Sequence, residues 1–227
     1  MQEAILVLED GTVFKGRGFF VDGEVFGEVV FNTSMTGYEE AFTDPSYAGQ
    51  ILVMTYPLIG NYGFHERNSE SRAVQIRGLV VREPCLHQAR GTRFMEYLRN
   101  NNLACIYGID TRSLTLRIRD RGTMKGIIAH ADSDARQLGR KIEQASYPDA
   151  ENLVAAVSCK RVMTLPGRTS KKVVLIDCGV KESIIRCLRR YASVIQVPFD
   201  ADAGLIDRMR PDAVVVSNGP GNPAHPD

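Results

Sequence analysis

Near the carboxyl end, Ser217-Asn218-Gly219-Pro220-Gly221-Asn222-Pro223 puts two glycines around a proline directly after Val214-Val215-Val216. Three consecutive β-branched apolar residues predict a strand buried on both faces, as in a parallel sheet. Glycine removes the side chain at the strand's carboxyl end and accepts positive φ, while Pro220 stiffens the turn. Backbone N–H groups there lie open to a ligand, at the end of the sheet where open α/β folds bind one. Such donors suit a reaction that builds negative charge on a carbonyl oxygen. Each one aimed at that oxygen is worth about 3 kcal/mol of barrier. Taken alone, the same residues also make an ordinary tight turn.

A second candidate lies in the amino-terminal half, where Glu28 to Glu40 leads into Thr43-Asp44-Pro45-Ser46-Tyr47. Asp-Pro-Ser-Tyr predicts a rigid turn that presents the Ser46 hydroxyl. No His or Asp stands at a spacing that would make Ser46 a nucleophile. Among the cysteines, Cys178 sits between a strand and a helix, where a helix start can lower a thiol's pKa. No histidine is near it in sequence, so Cys178 reads as a structural thiol, as do Cys85, Cys105, Cys159 and Cys187. The histidines at 65, 87, 130 and 225 form no i,i+4 pair, and no metal site is expected. His225, close to the terminus, is expected to be solvated. Arg112, Arg117, Arg119 and Arg121 read as a solvated basic face, with contact to a partner subunit as the second reading.

Positioning these residues requires two kinds of element order. Up to residue 130, short β-prone runs dominate: Ala4–Leu8, Val13-Phe14, Val25–Phe31, Gln50–Met54, Ile76–Val81 and 126–129. Helices are predicted from a Thr92 cap, with Phe94, Tyr97 and Leu98 on one face, and from Ser133 to Ala145. From Asp110 to Gly122, Leu114, Leu116 and Ile118 alternate as in a strand, but the capping residues and terminal glycine favour a helix. Polar residues with Pro148, Pro166 and Gly167 then predict a surface linker. Beyond it, strands at Val173–Ile176, Val194–Val197 and Ala213–Val216 alternate with helices at Lys181–Tyr191 and Ala203–Met209. That order predicts a doubly wound α/β unit. The division expected is a β-rich α/β domain over 1–150, a linker over 151–170 and a partial α/β domain over 171–227.

With 227 residues, 44% hydrophobic and 24% charged, the chain has ordinary globular composition. A net charge of +1 supplies no field for nucleic acid or an anionic membrane. No apolar run is long enough to span a bilayer, and five scattered cysteines suit reduced thiols. A soluble, cytoplasmic protein is expected.

The segments Leu8–Thr12, Gly27–Tyr38, Thr43–Tyr47, Thr55–Asn61, Gly108–Arg112 and Ser217–Pro223 together resemble the small, glutaminase subunits of carbamoyl-phosphate synthetases. The resemblance covers both halves in the family's order. It implies the fold of that family's amino-terminal domain, followed by the start of a flavodoxin-like class I glutamine amidotransferase domain. It also implies that Ser46, Gly219 and Gly221 contact glutamine across a domain cleft. The family hydrolyses glutamine at a Cys-His-Glu triad and passes ammonia to a large subunit, which uses ATP and magnesium to make carbamoyl phosphate for pyrimidines and arginine. The small subunit itself carries no cofactor. The family's Gly-x-Cys-x-Gly-His-Gln elbow and downstream His-Pro-Glu run are not in these residues. Both are expected beyond Asp227, so no catalytic residue is assigned here and the chain alone is expected to be inactive.

Two other readings stand beside this one. A non-catalytic fragment could dock on the large subunit or regulate it. A free-standing flavodoxin-like module would need a phosphate-cradling loop after its first strand, and Asp177-Cys178-Gly179 has a single glycine.

Overall fold

The computed structural model of the chain describes residues 2–87 and 91–223. The amino-terminal elements are β1 (Gln2–Leu8), β2 (Val13–Phe19), β3 (Val25–Asn32), α1 (Tyr38–Thr43), β4 (Gln50–Met54), β5 (Leu58–Ile59), β6 (Gly78–Val81) and β7 (Glu83–Pro84). They are followed by α2 (Phe94–Asn100), β8 (Ala104–Tyr107), α3 (Thr111–Arg121), β9 (Met124–His130) and α4 (Ala135–Gln144).

Seven of these strands close into a barrel in the order β1-β2-β8-β6-β4-β3-β9. The β3-β4, β4-β6 and β6-β8 pairs are parallel, and the other four are antiparallel. Strand alternation sends Leu6, Val29, Ile51, Val80, Ile106 and Ile128 into one core, which Leu114 and Ile118 of α3 complete. Outside the barrel, Tyr38, Phe42, Phe94 and Leu98 from α1 and α2 cover Leu52 and Leu79. Leu138 and Ile142 of α4 cover Ile5, Val7 and Ile127.

The helix at 111–121 starts where Asp110 accepts a hydrogen bond from the Ser113 N–H, and it ends at Gly122 with φ 89°. Thr92 does not cap α2. Its backbone pairs with Phe64 in an antiparallel bridge, and Arg93 takes the cap position without a side-chain bond.

The second part contains α5 (Leu153–Val157), β10 (Met163–Leu165), β11 (Lys172–Asp177), α6 (Glu182–Leu188), β12 (Ser193–Pro198), α7 (Ala203–Arg208) and β13 (Ala213–Val216). Its sheet runs β10-β12-β11-β13, with β11 parallel to both β12 and β13. The two crossover helices lie on opposite faces. Ile185 of α6 packs on Leu175 and Val194, whereas Ile206 of α7 packs on Val174 and Val197. This is the start of a doubly wound sheet in flavodoxin-like order.

Two expectations meet a different structure here. The stretch 151–170 carries α5 and β10, and β10 pairs antiparallel with β12. Nor is β13 buried on both faces. Among the described residues it pairs with β11 alone and forms the sheet's edge, leaving Val214 47% and Val216 66% exposed. β-Branched residues favour extended backbone, but burial depends on neighbouring strands.

Candidate functional site

In a sheet of this order, ligands bind where the chain leaves the central strand in opposite directions. Here that point lies between the carboxyl ends of β11 and β13, at Cys178-Gly179 and Asn218-Gly219. Asp177 organises the first of these loops. Its Oδ1 accepts from the N–H groups of Gly179 and Val180, and its Oδ2 accepts from the Cys159 N–H and Gln196 Nε2. A buried carboxylate with four donors holds its loop rigidly.

The glycines of the second loop have separate causes. A Cβ on Gly219 would lie 2.0 Å from the Cys178 carbonyl oxygen, so only glycine lets the loops approach. Gly221 has φ 80°, which side chains resist. Neither glycine donates its N–H to another described residue, leaving both donors available to a ligand. Buried Pro220 packs toward Gly179, and the Ser217 hydroxyl accepts from the Cys178 N–H.

The barrel supplies the opposite wall. Asp44 Oδ1 accepts from the Ser46 N–H and shapes the 3-10 turn Pro45–Tyr47, while Asn32 Nδ2 donates to the Tyr47 hydroxyl. Ser46 is therefore fixed from its own side. From the other side, Asn218 Nδ2 donates to Ser46 Oγ at 2.8 Å. Two further links cross nearby. Lys181 Nζ lies 2.7 Å from Asp44 Oδ2, and the Glu70 carboxylate accepts from the Ser183 N–H at the start of α6.

Between the walls is a cavity of about 310 Å³. It gathers Ser46, Gly219 and Gly221, with Glu28, Gln50 and Asn222 as further polar lining and Ala48, Pro148 and Leu153 as apolar lining. The sequence did not mark Glu28 or Gln50, because their approach depends on strand register. Nor did it mark Pro148 and Leu153, which pack over Gly49.

The cysteines of the cleft are not activated. Burial, and then the Asp177 charge, raises the Cys178 thiol above its ordinary pKa, and the same causes push Cys159 up to about 11. Proximity to the start of α6 therefore does not make Cys178 a thiolate at neutral pH. His225 lies outside the described residues. Of the arginines on α3, Arg117 and Arg121 pair with Asp10 and Arg119 pairs with Asp120, so much of the basic face is internally neutralised. Among the described residues, no group of three or more His, Cys, Asp or Glu could hold a metal ion, and no helix is long and apolar enough to cross a membrane.

Residues 6–128 match the family described as carbamoyl-phosphate synthase small chain, CPSase domain, and residues 174–227 match glutamine amidotransferase class-I. A carbamoyl phosphate synthase small chain from Thermotoga maritima is 43% identical over 98% of this chain and 58% of its own length. Small chains from Aquifex aeolicus and Archaeoglobus fulgidus are 44% and 45% identical, over 97% and 98% of this chain and 64% and 63% of their own lengths. The chain thus spans about three fifths of these relatives.

Proposed function

This chain belongs to the carbamoyl-phosphate synthase small-chain family, and on that footing we propose that its cleft is a glutamine site serving carbamoyl phosphate synthesis. The reading is carried by one observation: a single cavity draws together a hydroxyl from the barrel and two glycines of the Gly-Pro-Gly loop whose N–H groups have no partner among the described residues. Glutamine sits there with Ser46, Gly219 and Gly221 around it. The loop donors face the amide oxygen, where charge develops when a thiolate attacks. The attacking cysteine belongs to the family's elbow, which these 227 residues do not contain. Ammonia released from glutamine passes to a large subunit. That partner uses ATP and magnesium to make carbamoyl phosphate for pyrimidine and arginine synthesis in the cytoplasm. The chain itself holds no cofactor.

Two measurements test this reading. Titration of the 227-residue chain with L-glutamine should give saturable binding that Gly221→Ala weakens. Mixed with a carbamoyl-phosphate synthase large chain, it should form a complex that releases no ammonia from glutamine above a no-protein blank. Complex formation without glutamine binding would leave only a docking role. Ammonia above the blank would overturn the assignment of the nucleophile to residues outside this chain.

A further inference from the structure

Glu28 is the only charged side chain among the described residues lining the cleft cavity. Its placement follows from strand register. β3 and β4 run parallel with Glu28 opposite Gln50, and Val29 and Ile51 beside them face the barrel core. Alternation therefore turns Glu28 and Gln50 outward, toward the cleft. Gln50 Nε2 donates to Glu28 Oε2 at 2.7 Å, which orients the carboxylate while Oε1 has no described partner. No ion pair among the described residues includes Glu28. Its carboxylate therefore lines the cavity with no ion-pair partner among the described residues.

A free amino acid entering a cavity of about 310 Å³ must shed water from its ammonium group. That cost is recovered only against an acceptor, best an ionised one. The glycine-loop N–H groups can serve only oxygen atoms of the ligand. We propose that Glu28, braced by Gln50, receives the α-ammonium group of the substrate and makes the cavity selective for an α-amino acid amide. The inference rests on the glutamine reading above and adds the residue that sets the ligand's class.

The test compares L-glutamine with 4-carbamoylbutanoate, the same amide acid without the α-amino group, by titration calorimetry on the 227-residue chain. The wild-type chain should bind glutamine about tenfold or more tightly than the analogue. Glu28→Gln should remove that preference while leaving analogue affinity nearly unchanged, and Gln50→Ala should reduce it in part. Glu28→Asp, which keeps the charge, should retain some preference, and thermal unfolding of each variant reports its folding. Equal wild-type affinities, or a preference that survives Glu28→Gln in a folded protein, overturn this inference alone. Absence of any glutamine binding by the wild-type chain overturns the glutamine reading and this inference with it.

Discussion

Asp177 and its neighbours separate a cysteine that is near a site from one that performs its chemistry. The carboxylate is 3% exposed, accepts from four donors and adjoins Cys178 in sequence. Burial, and then the neighbouring Asp177 carboxylate, disfavour a thiolate, and the Cys178 pKa rises. At neutral pH its thiolate fraction therefore falls below that of an ordinary thiol. Iodoacetamide should label Cys178 more slowly than exposed Cys187, with a rate still climbing as pH passes about 8.5. Peptide mapping of the alkylated chain measures both rates, and faster labelling at Cys178 would refute the assignment. The loop glycines give a second residue-scale prediction. Gly219→Ala forces a Cβ into the Cys178 backbone and should destabilise the fold by about 3 kcal/mol in urea titration. Gly221→Ala meets conformational strain and should cost about 1 kcal/mol. The loop itself was legible in sequence because glycine and proline restrict what a backbone can do locally. Glu28 was not, because nothing in its neighbours along the chain says which residue of β4 stands opposite.

The start of α6 shows the same limit for an element. Apolar spacing at Ile184, Ile185 and Leu188 identifies the helix, but its own cap residue, Lys181, makes no side-chain capping bond. The cap comes from Glu70 in the other domain. Its carbonyl accepts from the Glu182 N–H, and its carboxylate accepts from the Ser183 N–H. Glu70 is held in turn by the Thr43 hydroxyl, which accepts its N–H. Glu70→Ala removes the carboxylate but keeps the carbonyl, so it should cost about 1 kcal/mol and raise amide exchange chiefly at Ser183. Unchanged exchange there would refute capping across the cleft. Lys181 instead reaches Asp44, and that hydrogen bond raises its pKa. A raised lysine pKa means its contribution is intact through the neutral range and fades only as pH climbs through the raised value. Strand and helix positions were largely readable from apolar periodicity, whereas barrel closure was not. Pairs such as Ala4 with His130 join residues far apart in sequence, and each run of apolar residues would look the same in an open sheet.

For the whole molecule, the two domains meet where the candidate site lies. Asn218 with Ser46, Lys181 with Asp44 and Glu70 with α6 cross the junction, and Gly179 leaves room for Pro45, Val157 and Pro220. Away from that junction, the carboxyl-terminal sheet has an apolar edge. β13 pairs with β11 on one side, while Val214 and Val216 project from the same face with much of their surface exposed. An uncovered apolar strand edge offers both backbone hydrogen bonds and hydrophobic surface to another chain. A formal net charge of +1 gives little repulsion to oppose such contact. The 227-residue chain should therefore associate as its concentration rises, detectably by sedimentation velocity. Val216→Lys places a charge on the edge and should shift the distribution toward monomer while leaving the unfolding temperature nearly unchanged, since it removes little buried surface. If the variant and the wild type associate equally, contact is made elsewhere. If the wild type stays monomeric throughout, the edge is protected without a partner strand.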